Sequence, residues 1–113
     1  MSAHNSLNIT PQARSDLKNI LKYTQKTWGS EQRERYKKLL NDAFTKIAAN
    51  PARGFPREEL RPGYYSYHVG SHGRHYIFYR VLDDTVEVVR ILHDSMDIRQ
   101  HLPEQATQQE EEN

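Results

Sequence analysis

Gly73-Arg-His-Tyr-Ile-Phe-Tyr-Arg-Val-Leu82, then Asp83-Asp-Thr85, then Val86-Glu-Val-Val-Arg-Ile-Leu-His-Asp-Ser-Met-Asp97: this stretch decides how the rest of the chain is read. Two runs rich in aromatic and β-branched residues flank a short acidic turn, the pattern of a β-hairpin. Both faces of each run are apolar. In the first, Tyr76 and Phe78 oppose Ile77, Tyr79 and Val81; in the second, Val86, Val88 and Leu92 oppose Val89 and Ile91. A strand apolar on both faces is covered on both sides, which places this hairpin at the centre of a sheet. Arg90 interrupts the row Val86-Val88-Leu92, and His93 ends the strand before Asp94-Ser95. These two residues are the first functional candidates.

Moving outward, Tyr64 to Val69 reads as the preceding strand, and Gly70-Ser-His-Gly73 as the turn between them. Before it, Pro51 to Gly63 is loop, punctuated by Pro51, Pro56 and Pro62 and by Gly54 and Gly63. Two helices come earlier. Thr10-Pro11 supplies a start, the hydroxyl as N-cap and proline at the first helical position. Ala13, Leu17, Ile20, Leu21, Thr24 and Trp28 then recur at helical spacing up to Gly29, and Ser30 is positioned to cap the next helix. That second helix carries Tyr36, Leu39-Leu40, Ala43-Phe44 and Ile47-Ala48, and stops at Asn50-Pro51 because the residue before proline resists the α conformation. The short joint makes the pair an antiparallel hairpin with one apolar side. Leu7-Asn8-Ile9 forms a first strand. After His93, Asp94 or Ser95 caps a last helix from Met96 to Leu102, with Asp97 at its third position if Asp94 is the cap. The order β-α-α-β-β-β-α is an α+β fold: an N-terminal strand, a helical hairpin on a mainly antiparallel sheet, and a short C-terminal helix.

A chain of 113 residues suits one domain. Its 35% hydrophobic content is low, partly because residues 1–6 and 103–113 are polar and read as disordered, leaving 7–102 as the domain. No cysteine is present, so disulfides and thiolate chemistry are excluded. With no membrane-length apolar run and no export signal at the N-terminus, the expected location is the cytoplasm, with no membrane partner. The net charge of +1 conceals an asymmetry. All 16 Lys and Arg precede residue 103, whereas Glu104, Glu110, Glu111 and Glu112 follow it, leaving 11 acidic residues and a net +5 on the body. Such a body suits an acidic partner but falls short of a dedicated nucleic-acid stripe, so direct nucleic-acid binding by the chain alone is not expected.

Residue types suggest three chemistries. His72 and His75 sit three apart and His93 and His101 flank the last helix, yet no zinc motif is present; neither a metal nor another cofactor is expected. Ser66 and His68 share a strand without a third triad member, and Gly70-x-x-Gly73 matches a KH-type loop without KH helices. Acid–base cleavage of RNA has candidate parts in Arg57, Arg61, Arg74, Arg90, Tyr79 and His93, but the spacing does not make them converge. The structural alternative for Arg90 is an ion pair with Asp94, Asp97 or Glu87. Tyr64, Tyr65 and Tyr67 suit either base stacking or a half-buried strand.

Taken in order, Ala13-x-x-Asp16-Leu17-x-x-Ile20-x-x-Tyr23-Thr24, Trp28-Gly29, Asn50-Pro51-x-x-Gly54, Arg57, His75-Tyr76-Ile77-Phe78-Tyr79-Arg80 and Arg90-Ile91-Leu92-His93-x-x-Met96-Asp97-x-x-x-His101-Leu102 resemble the ParE branch of the RelE/ParE toxin superfamily. The resemblance runs from about Ile9 to Leu102, and the Ile-Leu-His-x-x-Met-Asp string is its most specific piece. It implies a bacterial toxin of a type II toxin–antitoxin pair that traps DNA gyrase, by way of the gyrase A component, and is not an enzyme. It further implies a ParD-type antitoxin that neutralises the toxin, and a homodimer is an expected state of the toxin free of antitoxin. The alternative is the RelE branch, whose members cleave messenger RNA on the ribosome; Arg90 would stand as a sheet arginine there, but Asp94 and Asp97 would repel a phosphate backbone. A gyrase poison needs only to bind one conformation of its target better than the others. The resemblance and the knob-like end of the sheet make Arg90, His93, Met96 and Asp97 the gyrase-contact candidates. Leu17, Tyr36, Leu40 and Phe44 are the antitoxin-contact candidates, in a groove between the helical hairpin and the sheet.

Overall fold

The two runs of the central hairpin form β4 (His75–Leu82) and β5 (Thr85–His93), joined at Asp83 and Asp84, with Asp83 in the left-handed region at φ 56°. The computed structural model describes residues 6–70 and 73–102; the expected disordered ends, apart from Ser6, and His72 lie outside them. In chain order the other elements are β1 (Ser6–Ile9), α1 (Pro11–Trp28), α2 (Ser30–Ala49), a 3₁₀ turn at Pro51–Arg53, β2 (Phe55–Pro56), β3 (Tyr64–His68) and, after β5, α3 (Ile98–His101). The sheet runs β1-β5-β4-β3-β2, with β1 parallel to β5 and the remaining neighbours antiparallel. The hairpin is central, as expected from its two apolar faces. The two-residue β2 is an addition: Phe55 and Pro56 pair with Ser66 and Tyr65 inside what reads as loop.

α1 starts where its sequence dictates. Thr10 is extended, its Oγ1 accepts the Ala13 N–H at 3.2 Å, and Pro11 follows. The same hydroxyl donates to the Val89 carbonyl at 3.2 Å, tying the helix start to β5. Gly29 alone joins the helices, at φ 98°, where a side chain would be strained. Ser30 is already the first residue of α2 and makes no capping bond, contrary to its expected role. The Gly29 carbonyl accepts the Arg33 N–H directly, so the second helix begins one position early.

The apolar side of the helical hairpin covers one face of the sheet. Ala13, Leu40 and Ile47 from the helices and Ile77, Tyr79, Val86 and Val88 from the sheet are all fully buried there. Each large side chain in such a position contributes about 1.5–3 kcal/mol of transfer free energy. The opposite face carries a smaller cluster of Tyr64, Phe78, Val89, Leu92 and Leu102. Strict alternation puts Val86, Val88 and Leu92 on one face; the structure corrects this. Tyr79 pairs with Val88 but Phe78 pairs with Arg90, so Val89 is the extra residue of a β-bulge. Beyond it Ile91 takes the helix-covered side and Leu92 the other. The bulge also keeps Arg90 from pointing into the core beneath α1.

Gly54 shows why Asn50-Pro51-x-x-Gly54 is a unit. A Cβ at Gly54 would overlap the Tyr79 ring, whose hydroxyl donates to the Pro51 carbonyl. Tyr79 is wholly buried, and burial pushes its phenol up to about 12.

Candidate functional site

Arg90 sits at the edge of β5 that β1 leaves open. Its Nε and Nη2 donate to the two carboxylate oxygens of Asp16 on α1 at 2.7 and 2.9 Å, and its Nη1 donates to the His101 carbonyl at 2.8 Å. Asp16 Oδ2 also accepts the Ile91 N–H at 3.0 Å, satisfying a donor on that open edge. Both side chains of the pair are only 13% exposed. The expected partners of Arg90 are therefore wrong: Asp94 is held by Arg74 at 3.0 Å and Glu87 by Arg80 at 2.7 Å. Asp16 lies 74 positions away in the chain, beyond the reach of any local pattern. Bidentate and shielded, Arg90 is fixed as a brace between α1 and the C-terminal segment.

The end of the sheet beyond that brace is the exposed knob. His93 Nδ1 accepts the Ser95 N–H at 3.1 Å and contacts the Ser95 hydroxyl at 2.7 Å. Met96 and Asp97 are exposed. The last helix differs from expectation. Arg74 occupies the Asp94 carboxylate, and the Met96 N–H bonds the His93 carbonyl in a tight turn, so α3 begins only at Ile98, with Asp97 as an N-cap that makes no side-chain bond. Arginines hold this segment by its carbonyls. Arg61 donates to those of Arg99 and Leu102, and Arg99 donates to that of Glu59. Of the gyrase-contact candidates, His93, Met96 and Asp97 thus share one accessible surface, and Arg90 stands behind it.

The antitoxin-contact candidates divide as well. Leu40 is fully buried and Phe44 is 5% exposed, so both are core and offer a partner no surface. The reason is the width of the apolar stripe on α2, which the sheet covers at both positions. Leu17 and Tyr36 are half-buried at the margin of that core. Tyr36 leads to a feature that periodicity does not announce: a cavity of about 530 Å³ at the tip of the helical hairpin, walled by Ile20, Tyr23, Trp28, Tyr36, His75 and His93. Trp28, at core spacing in the sequence, is 69% exposed. The available signal is an aromatic pair at positions 23 and 28 among lysines. The Tyr36 hydroxyl lies 2.7 Å from His75 Nδ1, and the His75 ring meets that of His93 edge-on at 5.2 Å. Burial lowers His75 to about 4, with the neighbouring His93 adding to the effect, and burial raises Tyr36 to about 12.

Of the residues suited to RNA cleavage, Arg74 and His93 line the same cavity, and the others lie apart from them or are paired or buried. Arg57 donates to Glu59 and Ser66, Arg74 and Arg90 are held by aspartates, and Tyr79 is sealed under the helices. Among the described residues no group of three or more His, Cys, Asp or Glu side chains is arranged to hold a metal. No described helix is long and apolar enough to cross a membrane.

A helical hairpin on a five-stranded sheet, with a braced C-terminal knob, defines a RelE/ParE-like toxin fold. Residues 7–98 match the family model described as the ParE toxin of the type II toxin–antitoxin system parDE. The chain is 40% identical over 95 residues to Toxin ParE1 of Mycobacterium tuberculosis, covering 83% of this chain and 94% of the relative. It is 40% identical over 94 residues to Toxin ParE1 of Caulobacter vibrioides, with the same shares covered. A solved structure of the chromosomal ParDE system from P. aeruginosa superposes with a TM-score of 0.70 at 20% identity, over 81% of this chain and 98% of that one. This chain belongs to the ParE toxin family of type II toxin–antitoxin systems.

Proposed function

We propose that the protein is a cytoplasmic toxin that inhibits DNA gyrase by binding to its gyrase A component, and that a ParD-type antitoxin neutralises it. The family match across residues 7–98 carries this reading. The side-chain arrangement supports it. Arg57, Arg74, Arg80 and Arg90 each face a carboxylate, which leaves those four poorly disposed to grip a phosphate backbone. Tyr79 is inaccessible to any substrate. What remains accessible at the end of the sheet is a docking surface: the imidazole of His93, the thioether of Met96 and the carboxylate of Asp97. A rigid surface of this kind acts by stabilising one state of its target at the expense of the others.

Purified toxin added to gyrase and relaxed plasmid is expected to stop supercoiling and to leave cleaved plasmid, with His93→Ala, Met96→Ala and Asp97→Ala each weakening the effect. Toxin at micromolar concentration that leaves supercoiling intact, while translated messages acquire cuts within codons, would replace this reading with the ribonuclease one.

A further inference from the structure

Resting on the gyrase reading for its setting, we infer that the outer face of the helical hairpin is a docking surface for duplex DNA. Its lysines lie along the phosphates of the segment that gyrase holds, while the knob engages the enzyme. Charge is the first observation. Residues 1–10 carry no Lys, Arg, Asp or Glu, and residues 42–102 balance eight Lys and Arg against eight Asp and Glu. Residues 11–41 carry eight against three. The whole net +5 of the body therefore sits on α1 and the N-terminal part of α2.

Side-chain pairing sharpens that excess. Each of the three acidic residues is taken by an arginine: Asp16 by Arg90, Glu31 by Arg35 at 3.3 Å and Glu34 by Arg33 at 2.6 Å. Arg14, Lys18, Lys22, Lys26, Lys37 and Lys38 are exposed and make no ion pair among the described residues. Helical phase turns most of them outward. Lys18, Lys22 and Lys26 recur every four residues on the side of α1 away from the buried Ala13 and Thr24, and Lys38 lies opposite the buried Leu40 on α2. The one-residue joint at Gly29 folds α2 back along α1, so Lys37 and Lys38 stand at a level between Lys18 and Lys22. From Arg14 to Lys26 the helix rises about 18 Å, a length along which one strand of B-DNA sets about five phosphates. Asp42 makes no ion pair with Lys38 and lines a separate hollow beside β3 with Lys46.

Charge and position together single out DNA as the occupant. Arg57, Arg74, Arg80 and Arg90 are spent on carboxylates and fix the shape of the molecule, whereas these lysines are free point charges on flexible stems. Such a row attracts a phosphate backbone without reading its bases. The face also adjoins the knob. Asn19 and Tyr23 wall the cavity that His93 lines, and Lys22 and Lys26 lie three residues beyond each on the same helix. A toxin holding gyrase by the knob therefore turns its lysines alongside the enzyme, whose substrate is DNA. The competing occupant is the chain's own acidic end, and Glu104, Glu110, Glu111 and Glu112 are too few to neutralise all six free cations.

The test titrates the full chain into a fluorescein-labelled duplex of about 30 base pairs and reads anisotropy over a series of salt concentrations. Two duplexes of unrelated sequence should bind alike, and log affinity should fall against log salt with a slope of about −3 to −5, as four or five phosphate contacts require. K18E/K22E should lose about tenfold or more in affinity, and K18R/K22R should bind like the parent. K46E/R53E makes the same change in net charge at exposed positions off the outer face, and should lose about twofold at most. Far-ultraviolet circular dichroism is expected to stay native in all three. In supercoiling assays K18E/K22E should raise the toxin concentration needed for inhibition severalfold, and K46E/R53E should not. A parent that binds no duplex, a slope near zero, or equal losses in the two charge-reversed variants overturns the inference. It is overturned equally if duplex binding appears only after Glu104, Glu110, Glu111 and Glu112 are all replaced by Gln, since the chain's own acidic end then holds the face. If those failures occur while the parent still inhibits supercoiling, the DNA face falls and the gyrase reading stands. If the duplex results hold and the parent leaves supercoiling intact, the gyrase reading falls and the lysine face remains a DNA surface.

Discussion

The two faces of the sheet are closed by different physics. On one, α1 and α2 lay a continuous apolar layer over Ile77, Tyr79, Val86 and Val88, and the polar groups within it are few. On the other, a small cluster around Phe78 and Leu92 is roofed by Leu60, Ile98 and Leu102, and the roof is fastened by arginines donating to main-chain carbonyls. The first arrangement is costly to disturb because every displaced side chain leaves a cavity. The second depends on a few directional bonds, partly buried or exposed, each with a net worth of about 0.5–3 kcal/mol. The face that borders the accessible knob is therefore the one least burdened with holding the chain folded. Its arginines face carboxylates and carbonyls, an arrangement that favours a fixed shape over phosphate binding.

The largest test of that contrast is Phe44→Ala, which should lower stability by about 3–5 kcal/mol in urea unfolding. Leu102→Ala, on the arginine-fastened side, should cost less, because the short α3 can relax into the space. Equal losses would remove the distinction between the faces. Asp16→Ala comes next, at about 3 kcal/mol, since it strands the shielded Arg90 charge and leaves the Ile91 N–H without its acceptor. The paired replacement Asp16→Leu with Arg90→Met should recover much of that loss. Whether it also recovers the proposed gyrase inhibition tells the two roles of the brace apart. If stability returns and inhibition does not, the pair serves to position the knob; if both return, it serves the fold alone.

Much of this architecture is legible in the sequence. The Thr10-Pro11 start, the Gly29 joint, the stop at Asn50-Pro51 and the central hairpin all follow from local chemistry that acts within a few residues. What escapes is set by distance or by register. Alternation along β5 fails at Val89 because the extra residue is defined by pairing with β4, and nothing in residues 86–92 announces it. Local spacing points Arg90 to neighbouring carboxylates, yet its partner lies on α1, although Asp16 stands inside the family motif. Leu40 and Phe44 illustrate a limit of periodicity: it identifies an apolar stripe and cannot say whether a sheet or a partner covers it. Trp28 shows the converse, a residue at core spacing left exposed.

A smaller test addresses the loop that carries the helical hairpin into the sheet. Gly54→Ala places a methyl group against the buried Tyr79 ring and should cost about 2 kcal/mol, within the range for overpacking. Gly54→Ala combined with Tyr79→Phe should be milder than additive, because removing the phenol oxygen opens the space the methyl needs. Additive losses would mean that the glycine serves the turn itself, and the close approach to Tyr79 would not be the reason for it.

The smallest expected effect is the dependence on pH at the seam between the two faces, where His75 joins Tyr36 at the cavity wall. Burial holds His75 near 4 in the folded protein, against about 6.5 in an unfolded chain. Between those values the unfolded chain binds the proton and the folded one does not, so this group's contribution to stability is complete above about 6.5 and is lost as pH falls toward 4. With screening by solvent allowed for, the loss amounts to about 1–2 kcal/mol. Tyr36 acts at the other extreme: its phenol, raised to about 12, favours the folded state less and less as pH climbs past 10. His75→Phe should flatten the acid slope while leaving the alkaline one, and Tyr36→Phe should lessen the alkaline slope only in part, because the buried Tyr79 and Tyr64 phenols are raised as well. Urea midpoints measured at pH 4.5, 5.5, 6.5 and 7.5 for the parent and His75→Phe decide the first half. A parent slope unchanged by His75→Phe would assign the acid sensitivity to other groups.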